Sequence, residues 1–392
     1  MSLPDIHIQL LNGSLGRVEQ NDDGIAGLIV TGTAVSEKLE LNKVYLLSSS
    51  RDLTTLGITA ENNPLAYKDL MAFYQERGDG AELYLLVVAA ATTLSQMGGS
   101  GADSPLRTLI NYAKGRIRMV GFNRLPPEEY SADTETTGID KDAVTAAASI
   151  HAVAESYAEK VNPFRCLIPA LLWDGSTENL YKPRESSYNR VGFVMASDDN
   201  VGNTAAIGQM LGRATKYPVN YSLGRVKSGA IATQGWLTNG KTPEECEAML
   251  AALDEAGYII YRTFVRKNGY YPNDDPMAAP LSDDYSNLNL GRVVDKAIII
   301  TYLTYVEEIL DSIEADDQGH LPVAVCASYE RMIDSAVGNQ MKDEISSFAS
   351  YIDPAQDILT TSIVDVDCTI RPKGVLRDIK VKLGFENPAL KQ

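Results

Sequence analysis

Three histidines, His7, His151 and His320, are the only imidazoles in the chain, and none stands at HExxH or HxxxH spacing from another. A histidine zinc site or a catalytic triad would need distant ones to converge, and no GxSxG elbow accompanies them. Paired acids are more numerous. Asp198-Asp199 follows an apolar run ending at Met195, and Asp274-Asp275 and Asp283-Asp284 share one polar loop. Such pairs can hold a divalent cation through oxygen ligands, but the DxDxDG pattern is missing, and Asp is also a turn former through local hydrogen bonds. Asp198 and Asp199 are the residues on which a metal-dependent cytoplasmic α/β enzyme would have to rest. Neither GxxxxGKS/T nor GxGxxG occurs, and Gly78-Asp79-Gly80 lies before a predicted strand, where its amides are not presented at a helix N-terminus. The four cysteines, Cys166, Cys246, Cys326 and Cys368, form no CxxC and read as buried thiols of a reducing compartment. No cofactor or metal is implied.

The elements that would carry these residues belong to an ordinary globular chain. It has 392 residues, 44% hydrophobic and 22% charged, with 35 Lys+Arg against 52 Asp+Glu and a net charge of −17. That length suits two or three domains. That charge argues against nucleic acid and anionic lipid as partners, because phosphate binding is supplied by clustered Lys and Arg. The first residues lack the basic start and apolar run of a secretory leader, and no apolar stretch reaches the ~20 residues of a membrane span.

The order of elements divides the chain into an N-terminal arm (1–20), an α/β body (21–285) and a smaller α+β unit (286–392). In the arm Ile6, Ile8 and Leu10 alternate with polar residues and predict a lone strand, which must pair with its own body or with another chain. In the body, strand-like runs at 44–47, 83–88, 117–120, 166–172 and 191–195 alternate with predicted helices at 64–75, 105–113, 141–160, 203–211 and 242–256. Thr242 reads as an N-cap and Gly257 as a stop. This alternation predicts crossover units and a mostly parallel or mixed sheet flanked by helices. The polar loop 268–288 marks the boundary. Beyond it, 290–313 and 328–351 read as helical, and 358–370 and 375–385 as two extended segments joined by a turn at Arg371-Pro372-Lys373-Gly374. Residues 305–367 carry fourteen acids and two bases; residues 368–392 carry six bases and two acids. These opposed patches can pair within one molecule or between copies.

Three segments resemble contractile tail sheath proteins of phages, prophages and injection systems. Leu53–Val88 has Gly57, Phe73, Tyr74 and Gly78 in the order found early in the sheath body. Gly257–Leu310 is similar to the passage where a strand with Arg262-Thr263 gives way to a loop and then to a helix with Arg292 and Asp295. Thr369–Pro388 resembles the terminal β-unit. The resemblance implies a non-enzymatic structural subunit that stacks with its own copies in sixfold rings around an inner tube protein and contracts. Baseplate and terminator proteins are the further partners it implies, with assembly in the bacterial cytoplasm into a virion tail or injection particle. Another tail or baseplate structural protein is the remaining alternative of that class.

Such subunits are joined by strand addition between neighbours. The resemblance makes Ile6, Ile8 and Leu10 the donor strand and Ile379, Val381 and Leu383 the acceptor. Arg371, Lys373, Arg377, Lys380 and Lys382 become inter-subunit charge contacts, and Lys342, Asp343 and Glu344 face the inner tube.

Overall fold

The computed structural model describes residues 23–386. The N-terminal strand predicted at Ile6–Leu10 lies outside them. Seven strands form one sheet: β1 (Ala26–Gly32), β2 (Val44–Leu47), β3 (Leu83–Ala89), β4 (Met119–Asn123), β5 (Arg165–Pro169), β6 (Val191–Val194) and, after two short strands β7 (Ala196–Ser197) and β8 (Trp236–Leu237), β9 (Tyr258–Ile259). Their order is β2-β3-β1-β4-β5-β6-β9, and all neighbours are parallel except β2, which runs antiparallel along β3 at one edge. The body is therefore a mixed α/β sheet covered on both faces.

Period-two geometry divides each strand between two cores. Ile29, Leu86, Val88, Val120 and Phe122 face one layer of helices, among them α3 (Leu94–Met97), α4 (Pro105–Tyr112) and α5 (Lys141–Ala158). Leu28, Val30, Leu85 and Val87 face the other, which includes α1 (Asp52–Leu56), α2 (Pro64–Arg77) and α6 (Ile207–Lys216). Uninterrupted apolar strands are what a sheet buried on both faces requires. Helices α2 and α6 approach closely because α6 presents Gly208 and Gly212. A Cβ at those positions would stand 2.1 Å from the Asp69 carbonyl oxygen and 2.9 Å from that of Phe73.

Boundaries in the body depart from the sequence reading in several places: β4 runs from Met119 to Asn123 rather than over 117–120, and β5 ends at Pro169 rather than at 172. Helix α6 starts at Ile207, not 203, and continues to Lys216. Helix α7 (Glu247–Ala256) starts later than predicted, while Thr242 exchanges capping bonds with Glu245 on the preceding turn. Gly257 ends α7 at φ 99°. A ribbon of β10 (Tyr261–Arg262) and β11 (Tyr271–Pro272) leads to the junction loop.

The C-terminal unit differs more from expectation. Helix α8 (Leu288–Tyr305) stops eight residues before the predicted end, and α9 (Val323–Met341) is followed by strand β12 (Ile345–Tyr351), where a continuous helix was expected. The cause is a register shift between Ile345 and Ser347, which places Ile345 and Phe348 on one side at a three-residue spacing that imitates a helix. Residues 358–361 form a short helix, and β13 (Asp367–Pro372) pairs antiparallel with β12. Arg371 and Pro372 thus belong to a strand rather than a turn, and 375–386 joins no ladder. Cys368, expected to be buried, is exposed on β13, whereas the other three thiols are buried.

Candidate functional site

In open α/β sheets a ligand crevice forms beyond the carboxyl ends of the strands, where the order reverses. Here the reversal lies at β1, with β3 on one side and β4 on the other. The crevice is filled by the chain itself. Arg124, buried just after β4, places Nη1 3.2 Å from Asp142 and 3.6 Å from Asp140, with the Tyr130 ring 4.3 Å from its guanidinium carbon. The Tyr130 hydroxyl donates to Asp140 at 2.9 Å, and Asp142 accepts from the Leu94 amide at 2.6 Å.

The adjacent acids are paired just as fully. Lys68 Nζ stands 2.8 Å from Asp198 and 2.6 Å from Asp199, and Thr204 donates to Asp199. Asp69, fully buried, accepts from Asn123 and from the Gly208 amide. Burial, reinforced by the Asp198 charge, pushes the Asp69 pKa up to about 7. A cation on Asp198 and Asp199 would have to displace Lys68. Among the described residues, no group of three or more His, Cys, Asp and Glu is placed to hold a metal. The arrangement neutralises charge internally and ties α2 to α6.

At the junction, the Arg-x-x-Asp pattern of α8 fastens the C-terminal unit to the body. Asp295 accepts from Arg165 Nε at 2.8 Å and Nη2 at 3.2 Å, and from Arg190 Nη1 at 3.2 Å; Arg190 also reaches Glu155 at 2.5 Å. Gly291 leaves room for this, since a Cβ there would sit 2.0 Å from the Arg165 guanidinium carbon. Arg292, also buried, donates to the carbonyl of Ala214. Lys296 bridges Asp23 at 2.6 Å and Glu344 at 2.7 Å. Arg165 and Arg190 escaped the sequence reading. Their signal was a cation at the start of an otherwise apolar strand, where only a partner elsewhere in the chain can satisfy it.

The surface that remains incomplete lies beyond α8. The small core of Val293, Ala297, Ile300, Ile333, Val337 and Met341 is covered on one side by the β12–β13 ribbon, which has no third strand among the described residues. A two-stranded ribbon leaves two rows of unpaired backbone groups. Among the described residues, fourteen of the 21 exposed large hydrophobic side chains lie after residue 300, so apolar exposure concentrates in this part of the chain. Ile379, Val381 and Leu383 are 73, 70 and 94% exposed and alternate with Lys380 and Lys382, the pattern of a strand without its sheet.

Of the basic residues singled out, Arg371 is exposed on β13 and Lys373 donates to the Asp343 carbonyl at 2.6 Å. Arg377 engages Asp274, Lys380 lies 3.8 Å from Asp378, and Lys382 is exposed. Lys342 and Asp343 are exposed between α9 and β12, whereas Glu344 points inward to Lys296. No described helix is long and apolar enough to cross a membrane.

The fold is shared with solved chains of contractile sheath and baseplate particles. The chain is similar over 98% of its length to the helical sheath of the anti-feeding prophage in its contracted state, with 12% identity, TM-score 0.63 and all of that chain covered. It is similar over 99% of its length to a chain of the six-fold symmetrised baseplate of the same particle, with 13% identity, TM-score 0.61 and all of that chain covered. A sheath tail protein of Desulfitobacterium hafniense is matched over 94% of this chain and 100% of that one, at 12% identity and TM-score 0.54. No curated protein sequence matches. The chain belongs to the DUF2586 family: residues 3–276 match its N-terminal domain and residues 284–390 its C-terminal domain.

Proposed function

We propose that this protein is the structural subunit of a contractile sheath. Copies stack in sixfold rings around an inner tube protein, and the cylinder shortens to drive that tube through a target envelope. What carries the reading is likeness to sheath chains along almost the whole length, in a molecule whose strand-reversal crevice is filled by its own ion pairs. No reaction is assigned to it. Assembly takes place in the bacterial cytoplasm, with baseplate and terminator proteins bounding the cylinder in a virion tail or injection particle. A place at the baseplate end of the same cylinder is the second reading, favoured by the full-length likeness to a baseplate chain.

The link between copies is strand addition. Ile6, Ile8 and Leu10 of one copy supply a strand to the C-terminal ribbon of another, where Ile379, Val381 and Leu383 order into the accepting strand. Main-chain bonds then satisfy the open ribbon, and alternating apolar side chains fix the register. Arg371, Lys380 and Lys382 meet the acidic surface of residues 305–367 on a neighbour, while Lys342 and Asp343 face the tube. A photo-crosslinking residue at position 8, in a mixture of two differently tagged copies, tests this. Capture of 379–383 on the other copy is expected, and adducts confined to the same chain would refute the link.

A further inference from the structure

The C-terminal arm is not loose along its whole length. Arg377 Nε donates to Asp274 Oδ2 at 2.5 Å and Nη2 to Oδ1 at 3.4 Å, and Nη2 lies 3.7 Å from Asp275 Oδ1. The receiving site is built without help from the arm. Ser222 donates to Asp274 at 2.9 Å, Asn287 to Asp275 at 3.1 Å, and the Asn289 amide to Asp275 at 2.9 Å. These residues come from a body loop, the junction loop and the start of α8, so the socket straddles the joint between the two units.

Two adjacent carboxyl groups, one of them fully buried, cannot both stay ionised without a cation. Burial and the Asp274 charge push Asp275 well above the ordinary carboxylate range. Burial also penalises the Asp274 carboxylate, but hydrogen bonds from Arg377, Asp275 and Ser222 and the Arg377 charge together hold it below the ordinary range. The planar guanidinium grips both oxygens of Asp274 in a fork, which an ammonium cannot do. Arg377 itself remains 43% exposed, so the pair can open directly into solvent. Two residues further on, the exposed apolar alternation begins at Ile379.

We propose that Arg377 is a latch that holds the C-terminal arm to the junction of its own subunit until a neighbouring copy engages the strand beyond it. The proposal rests on the reading of that arm as an assembly strand. While the latch is closed, Ile379–Leu383 starts from a fixed point on its own subunit, and pairing with another copy has to compete with the Asp274 contact. Free subunits are thereby slowed in self-assembly.

A nitroxide on D378C in a C368S background of the full chain reports arm mobility in dilute solution. R377Q is expected to shift the latched-to-free ratio about tenfold, the loss of a charge-assisted bidentate contact, with R377K intermediate. D274N must loosen the arm in the same way; S222A, which removes one bond to the same carboxylate, serves if D274N does not fold. On concentration, R377Q is expected to shorten the lag before light scattering rises, also about tenfold. A nitroxide spectrum or a lag unchanged by R377Q overturns the latch. I379D with L383D separates the two ideas. If that variant abolishes polymers while R377Q changes nothing, the arm reading stands and the latch falls; if it leaves polymers intact, the arm reading falls as well.

Discussion

Replacing Asp295 by Ala removes the acceptor shared by Arg165 and Arg190 and leaves two guanidiniums facing each other in a site where Asp295 is 7% and Arg165 1% exposed. Arg190 retains Glu155, but that carboxylate is 45% exposed and screened by solvent. Removing one partner of a buried pair costs about 3–5 kcal/mol, because the remaining charge loses compensation it cannot recover from water. An exposed partner is worth about 1 kcal/mol or less. Asp295→Ala should therefore cost several times what Glu155→Ala costs. With urea slopes of roughly 3 kcal/mol/M or more for a chain of this size, the midpoint should fall by about 1 M for Asp295→Ala and by a few tenths for Glu155→Ala. Arg165→Met combined with Asp295→Leu should recover part of the loss, since it removes the most deeply buried charge together with its partner while Arg190 keeps only Glu155. The assay is urea unfolding followed by circular dichroism, with tryptic nicking to show whether α8 is released first. Equal midpoints for Asp295→Ala and Glu155→Ala would refute the claim that α8 is riveted to the body through this carboxylate.

Other outcomes follow from the same structure. Deleting residues 1–12 should leave a folded monomer that does not polymerise, and normal-length tubes by negative stain would contradict the donor role of Ile6, Ile8 and Leu10. Ile379→Asp with Leu383→Asp should change the unfolding free energy by less than about 0.5 kcal/mol, as exposed positions do, while abolishing polymers in a sedimentation assay. Asp69 has a folded pKa of about 7, above its unfolded value, so between about pH 4 and 7 the folded chain binds the extra proton and stability falls as pH rises. A shift of about three units corresponds to on the order of 4 kcal/mol across that window. Asp69→Asn should flatten the slope of unfolding free energy against pH, and an unchanged slope would show that Asp69 is not its source.

Much of the body was legible because its strands are continuous apolar runs between helices with clear start and stop residues. Val44–Leu47 and the start of α5 at Lys141 fall at their predicted positions. The central strand Ala26–Gly32 did not stand out, because two of its seven residues are glycine; at Gly27 a Cβ would crowd a Leu109 methyl at 2.7 Å. The C-terminal unit was harder to read, since among the described residues its sheet is only two strands wide and its strands give little alternation to read. There a single bulge at β12 turned a strand into an apparent helix. The paired acids were visible in the sequence, but their partners were not. Lys68 lies some 130 residues from Asp198, Arg377 some 100 from Asp274, and Arg165 130 from Asp295, and no local pattern records such pairings.

Electron microscopy of the purified full-length chain at high concentration, with and without the inner tube protein, addresses the central claim most directly. Striated cylinders of stacked rings, with density continuous from the N-terminal segment of one copy into the C-terminal ribbon of the next, are the expected result. Dispersed single subunits under both conditions, or cylinders whose copies share no strand, would contradict it.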